Sequence, residues 1–233
     1  MPDEHVEWAA NYALVKRPQT IIQIGDWADM PSLSSYDKGK RAYEGRRYVS
    51  DIKAANQSLD KFMRPLEDHN RRNPKDLYTP RLVYTRGNHE ERIVRATDLD
   101  PMLEGKLSID DFEVGQRGWE VYPFLQVVEI DGIEYSHYFT SGVMGRPVSS
   151  AAALLRERQC SATMGHVQFT DMAFHKKTQN IALFAGSYYQ HDEDYLGPQG
   201  NDSRRQIIMK HEVKDGVYDP MFVSLAYLKK RFA

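Results

Sequence analysis

Four short stretches carry residues that could do chemistry together. "GDWAD" supplies Asp26 and Asp29, "GNHE" supplies Asn88 and His89, "SHYF" supplies His137, and "GHVQ" supplies His166 and Gln168. Carboxylate, amide oxygen and imidazole form a mixed nitrogen and oxygen donor set. Such a set suits Mn²⁺, Fe or Zn²⁺ better than Ca²⁺, which prefers all-oxygen cages. Each residue also has a plain reading: Asp26 as a helix cap, His137 as a hydrogen-bonded core histidine, Asn88 and His166 as turn residues. What sets them apart is position. Each follows an apolar run that reads as a strand, and ligand sites of α/β folds lie at the carboxyl ends of strands.

The elements that must position them follow from periodicity. "TIIQIGDWAD" and "RLVYTRGNHE" are β-branched or alternating runs ending in Gly, so both read as strands with a turn at the exit. Residues 41–72 between them read as one long amphipathic helix with Ile52, Ala55, Leu59, Phe62 and Met63 inward. Strand, helix and strand make a βαβ unit with parallel strands. Residues 3–16 read as a helix with Asp3 as N-cap and an apolar stripe of Val6, Ala9, Ala10, Ala13 and Leu14. After residue 120 the pattern turns to strands: hairpins around Asp131-Gly132 and Asp215-Gly216, with "SATMGHVQFTDMAF" and "NIALFAGSYY" between them. No linker divides the two halves, so residues 1–233 read as one domain of layered α/β packing.

Composition limits the function classes. The chain has 233 residues, 41% hydrophobic and 27% charged, enough for a sizeable core. A net charge of −2 gives no global field for nucleic acid, so any such contact needs a local patch. The single cysteine, Cys160, excludes an internal disulfide and a Cys-rich zinc site, and reads as a buried small residue. No apolar run approaches a membrane span, and "MPDEHVEWAA" is too acidic for a signal peptide.

The order GD-x-x-D, GNHE, a strand His and GH-x-[HQ] resembles the calcineurin-like metallophosphoesterases, in particular the compact phosphoesterases of phages and prophages. The likeness runs from Thr20 to the last hairpin. It implies an αββα sandwich of two mixed sheets flanked by helices, a dinuclear centre, and a home in bacterial or phage-infected cytoplasm. The implied cofactor is a divalent ion, Mn²⁺ first, with Fe, Zn²⁺ or Mg²⁺ as alternatives. Carried over by position, Asp26 bridges both metals, and Asn88, His137 and His166 complete one site. His89 stands beside the scissile phosphate as proton donor or charge partner, and Asp29 orients His89 or the Asn88 loop. The implied activity is hydrolysis of phosphate esters by a metal-activated water, on phosphodiesters of nucleic acid or nucleotides, with a phosphomonoesterase as alternative.

Two departures matter. The family opens with a strand ending in Asp-x-His, which serves the other metal. Here Asp3 and His5 have those letters, but they also fit the first turn of a helix, in which case the family's first strand is missing. Gln168 stands where many members carry a second His, and its carbonyl is a weaker ligand. Both losses fall on one metal, so the expectation is a single well-held ion and weak activity, or a non-catalytic descendant of the fold. For substrate, Arg46, Arg47 and Arg92 could hold phosphates, and Tyr36, Tyr43 and Tyr48 could stack on bases. Residues 139–147, "FTSGVMGRP", read as a loop over the site or a plain surface connection. Oligomeric state stays open.

Overall fold

Strand alternation sorts the apolar residues onto faces, and the layers follow from that sorting. The computed structural model describes residues 3–36, 38–192 and 203–233. The first sheet holds β1 (Thr20–Gln23), β2 (Arg81–Thr85) and β3 (Glu120–Tyr122), in that order and all parallel. The second holds β4 (Val128–Ile130), β5 (Ile133–Ser136), β8 (Ser161–Met164), β9 (Thr170–Phe174) and β10 (Ile181–Ala185). Its order is β4-β5-β8-β10-β9, with β5, β8 and β10 parallel and the two edge strands antiparallel. Of the two mixed sheets expected, then, only the second is mixed. Strand β3 was not legible in the sequence, because three residues with one aliphatic side chain show no period.

On β2, Leu82 and Tyr84 face helices α1 (Glu4–Lys16), α2 (Tyr48–Arg72) and α3 (Glu91–Leu99), packing on Ala10, Leu59 and Ile93. Val83, one residue along, faces the other way into a core between the sheets, with Ile133, Tyr135, Ile181 and Leu183. On the far side of the second sheet, Ala162, Met164, Ala182 and Phe184 pack on Leu154 and Leu155 of α4 (Ala151–Arg158). The molecule is therefore a mixed α/β sandwich: helices, sheet, sheet, helix. A hairpin, β11 (Gln206–Lys214) and β12 (Val217–Ser224), and α5 (Leu225–Phe232) close over Trp8 and Tyr12 of α1.

One boundary and one cap differ from the sequence reading. The long helix starts at Tyr48, not residue 41. Gly45 takes φ +78°, outside helical space, and Arg41–Tyr43 form only a single 3₁₀ turn. Residues 38–47 carry no apolar stripe, and Tyr43 instead donates its hydroxyl to Ser32 O at 2.6 Å. Asp3 occupies the N-cap position of α1 without capping it. Its carboxylate accepts a hydrogen bond from Lys61 of α2. Residues 139–147 contain a small ribbon of β6 (Thr140–Ser141) and β7 (Arg146–Pro147), with Val143 and Met144 exposed at its tip. Among the described residues no helix is long and apolar enough to cross a membrane.

Candidate metal centre

Parallel register brings the loops together. Gln23 pairs with Tyr84, so the exits of β1 and β2 lie side by side. Ser136 pairs with Met164, so the exits of β5 and β8 do too. The two sheets are then joined at these exits by His137, whose Nδ1 donates to Ile24 O at 2.8 Å.

Glycine permits the approach of the first two loops. A Cβ on Gly87 would stand 2.1 Å from Asp26 Oδ1, and one on Gly25 would stand 2.6 Å from Gly87 Cα and 2.7 Å from His137 Nδ1. The loops carry local strain as well. Asp26 (φ 57°) and His166 (φ 63°) sit in left-handed backbone without being glycine. Strain of this kind collects at functional sites, where surrounding structure holds it in place.

Four donor atoms converge. His137 Nε2 lies 2.9 Å from Asn88 Oδ1, 3.2 Å from His166 Nδ1 and 3.3 Å from Asp26 Oδ2. His166 Nδ1 lies 2.8 Å from Asn88 Oδ1. The ligand atoms of Asp26, His137 and His166 are all within 4.8 Å of one another. Donors about 2.1 Å from a shared ion and at right angles to each other stand about 3.0 Å apart, close to these spacings. The chemistry agrees. A carbonyl can only accept, so Ile24 O fixes the His137 proton on Nδ1 and turns the Nε2 lone pair toward two oxygens. Lone pairs facing one another repel unless a proton or a cation lies between them, and this donor set, with His137 buried, Asp26 half-buried and His166 exposed, fits a divalent metal.

The ionisation states of Asp26 and His166 fit too, whereas that of His137 favours a proton that a bound ion would have to displace. Burial opposes the charge on Asp26, but the His137 ring and His89 beside it hold its carboxyl well below the ordinary carboxylate range. Burial and the nearby His137 push His166 down, which keeps its ring neutral. Burial would lower His137, but Asp26 outweighs it and raises the ring above its usual value.

Next to the donors, His89 Nδ1 meets Asp29 Oδ1 at 2.7 Å, the orienting contact expected of Asp29. Burial lowers the imidazole, yet Asp29 and Asp26 raise it overall. The backbone N–H of His89 donates to Asp26 Oδ1 at 3.0 Å.

One residue the sequence reading left without a role is central. Glu90 is fully buried, and its carboxylate accepts N–H groups from Gly87 (2.8 Å), Asp26 (3.0 Å) and Ala28 (2.8 Å). It ties both glycine loops to the start of α3. Burial first, then the Asp26 charge, raise its pKa. The signal was present: two tight glycine turns leave N–H groups that need an acceptor, and the acid after His89 is the nearest one.

Several other candidate residues make contacts of their own. The Arg92 guanidinium, its side chain 14% exposed, donates to Asp29 O at 2.7 Å and Met30 O at 3.4 Å. It braces the GDWAD loop from α3. Arg46 donates to Pro31 O, and the exposed Arg47 donates to Arg46 O. Tyr48 donates to Asp111 and Ser108, so it and Tyr43 serve the fold, while Tyr36 is exposed. Gln168 is half-buried on the loop between β8 and β9, where its main-chain carbonyl lies beside Gly186. Cys160 is half-buried, its thiol pushed up to about 11 by burial and then by Glu134, so it stays a protonated thiol. His5 is buried against the Tyr188 ring, 5.1 Å between centroids, and is not among the converging donors.

No protein-family model, curated protein or solved structure matches this chain, so its chemistry is read from these residues and their geometry.

Proposed function

We propose that this protein is a metal-dependent phosphoesterase acting on phosphodiesters, with one well-formed metal site. The observation that carries the reading is the convergence of Asp26, Asn88, His137 and His166 beside an imidazole that is not a ligand. These four residues would hold a divalent ion of the Mn²⁺, Fe or Zn²⁺ kind. A cation bound there supplies Lewis acidity toward the phosphate oxygens and toward the attacking water.

The chain's own residues do the rest. Asp29 takes the Nδ1 proton of His89 in a hydrogen bond, which leaves Nε2 as the atom free to face substrate. The raised pKa of His89 keeps that nitrogen protonated further toward neutral pH. It can then pass a proton to the leaving oxygen, or steady charge on the phosphate. Glu90 and Arg92 hold the two loops still while this happens.

A second reading has one observation in its favour. Asp3 is engaged with Lys61 and His5 lies in the α1 core, so residues 3–5 do not furnish a second metal site. A fold kept for binding without turnover would look the same. Hydrolysis of bis-p-nitrophenyl phosphate with and without Mn²⁺ separates the two, and p-nitrophenyl phosphate separates diester from monoester preference. Mn²⁺-dependent release from the diester, lost in His137→Ala, is expected. A chain that binds Mn²⁺ yet cleaves neither ester is the binding form.

A further inference from the structure

Two aromatic rings beside the metal donors have no part in the reading above. Tyr138 directly follows the donor His137, and its ring centroid lies 4.8 Å from that of His166 at a tilt of 49°. Phe124 stands edge-on to it, 5.6 Å away, and 6.1 Å from His137. Both rings are half-buried, so part of each meets solvent at the site.

The turn that carries Phe124 is strained. Phe124 sits in a turn closed by Gln126 N to Pro123 O at 3.1 Å. Leu125, the next residue in that turn, takes φ 63° without being glycine. A β-branched or bulky residue avoids that region, so the turn holds a conformation that costs free energy. On the other side, Arg95 of α3 donates to Asn88 O at 2.8 Å and leaves its exposed guanidinium at the same rim.

Resting on the phosphoesterase reading, we propose that Tyr138, backed by Phe124, is a positioning residue that stacks on a planar ring carried by the substrate's non-leaving arm. The substrate class is thus a phosphodiester of a nucleoside, with Arg95 as the cation for its charge. A ring on Tyr138 lies beside His166, so the phosphate attached to it falls toward the donor cluster. Base stacking on an aromatic side chain tolerates any base.

The test varies only the non-leaving arm. Thymidine 5′-(p-nitrophenyl phosphate) and methyl p-nitrophenyl phosphate share a leaving group and differ in the base. The expected ratio of their kcat/KM values in Mn²⁺ is roughly 5- to 100-fold in favour of the thymidine ester. Tyr138→Leu, which fills the space against His166 without a π face, should collapse that ratio, and Tyr138→Phe should keep it. Mn²⁺ stoichiometry measured in each variant identifies any loss that comes from the metal instead. Equal rates on both esters in the wild type, or a preference unchanged in Tyr138→Leu, overturn the inference. If neither ester is cleaved, the hydrolase reading fails by itself, and the stack is read by calorimetry. Thymidine 5′-monophosphate must then bind the Mn²⁺-loaded protein more tightly than methyl phosphate does, and Tyr138→Leu must abolish the difference. Competition by oligothymidylate against the mononucleotide tells a nucleic-acid strand from a free nucleotide.

Discussion

Asp3 with His5 and Asp26 with His137 use the same two residue types and come to opposite ends. At the N-terminal helix, Asp3 turns to Lys61 and His5 turns into the core against Tyr188. Its Nδ1 is buried without a partner among the described residues, and burial pulls its pKa down to about 4. At the strand exits, Asp26 and His137 turn toward each other and toward two further donors. Both histidines are buried, so burial alone does not bring a histidine into a cluster of donors. The difference lies in the second nitrogen. His137 has a carbonyl on Nδ1 that fixes its tautomer and leaves the other lone pair aimed at the cluster. His5 has neither a fixing partner nor company for its lone pair.

The comparison breaks most visibly at the metal. Asp26→Ala should abolish measurable Mn²⁺ binding, whereas Asp3→Ala should leave stoichiometry near one and affinity within about threefold, because an ion pair on partly exposed side chains is worth only about 0–1 kcal/mol. Isothermal titration of the three proteins reads this directly, and an equal loss in both variants would mean that Asp3 is a ligand.

The next effect separates ligand from neighbour. His89→Ala should cut phosphodiester turnover by roughly 10²- to 10⁴-fold while metal content stays near wild type. A loss of turnover explained wholly by lost metal would reassign His89 to the donor set.

Glu90 tests the support beneath the donors. Glu90→Ala leaves three backbone N–H groups without their acceptor. The expected costs are about 3 kcal/mol of stability and a roughly 10- to 100-fold loss in Mn²⁺ affinity, as for partners that orient metal ligands. Urea denaturation and metal titration on one preparation check both, and Glu90→Gln, which keeps the shape and one acceptor oxygen, should recover part of each.

The smallest effect sharpens the contrast from the other side. The folded pKa of His5, about 4, lies below its unfolded value of 6.5. Between these values the unfolded chain binds a proton that the folded chain refuses. His5 therefore contributes its full stability above pH 6.5 and loses it as pH falls toward 4. The expected contribution to acid loss between pH 7 and pH 5 is about 2 kcal/mol. His5→Phe should flatten that part of the profile and leave Mn²⁺ titrations at pH 7.5 unchanged. A profile of unchanged slope would show that His5 is not the group that opposes folding in acid.

The sequence by itself determined what adjacency encodes. Period-two alternation marked Leu82 and Tyr84 for one face of β2 and Val83 for the other, and they face those ways. Glycine after a β-branched run marked Gly25 and Gly87 as strand exits, and the donor letters behind them named Asp26, Asn88, His137 and His166 as candidates. Only the tertiary structure decided which candidates meet. The pairing of Gln23 with Tyr84 and of Ser136 with Met164 aligned four exits that are separated along the chain by as many as 140 residues, from 26 to 166. It also turned Arg92 inward, gave Glu90 its three N–H groups, and set Tyr138 and Phe124 at the rim. The physical reason is range. A strand's period and a turn's φ are settled by neighbours in the chain, whereas distant donor atoms meet, and a carboxylate finds its N–H partners, through strand register and the packing of one sheet on another.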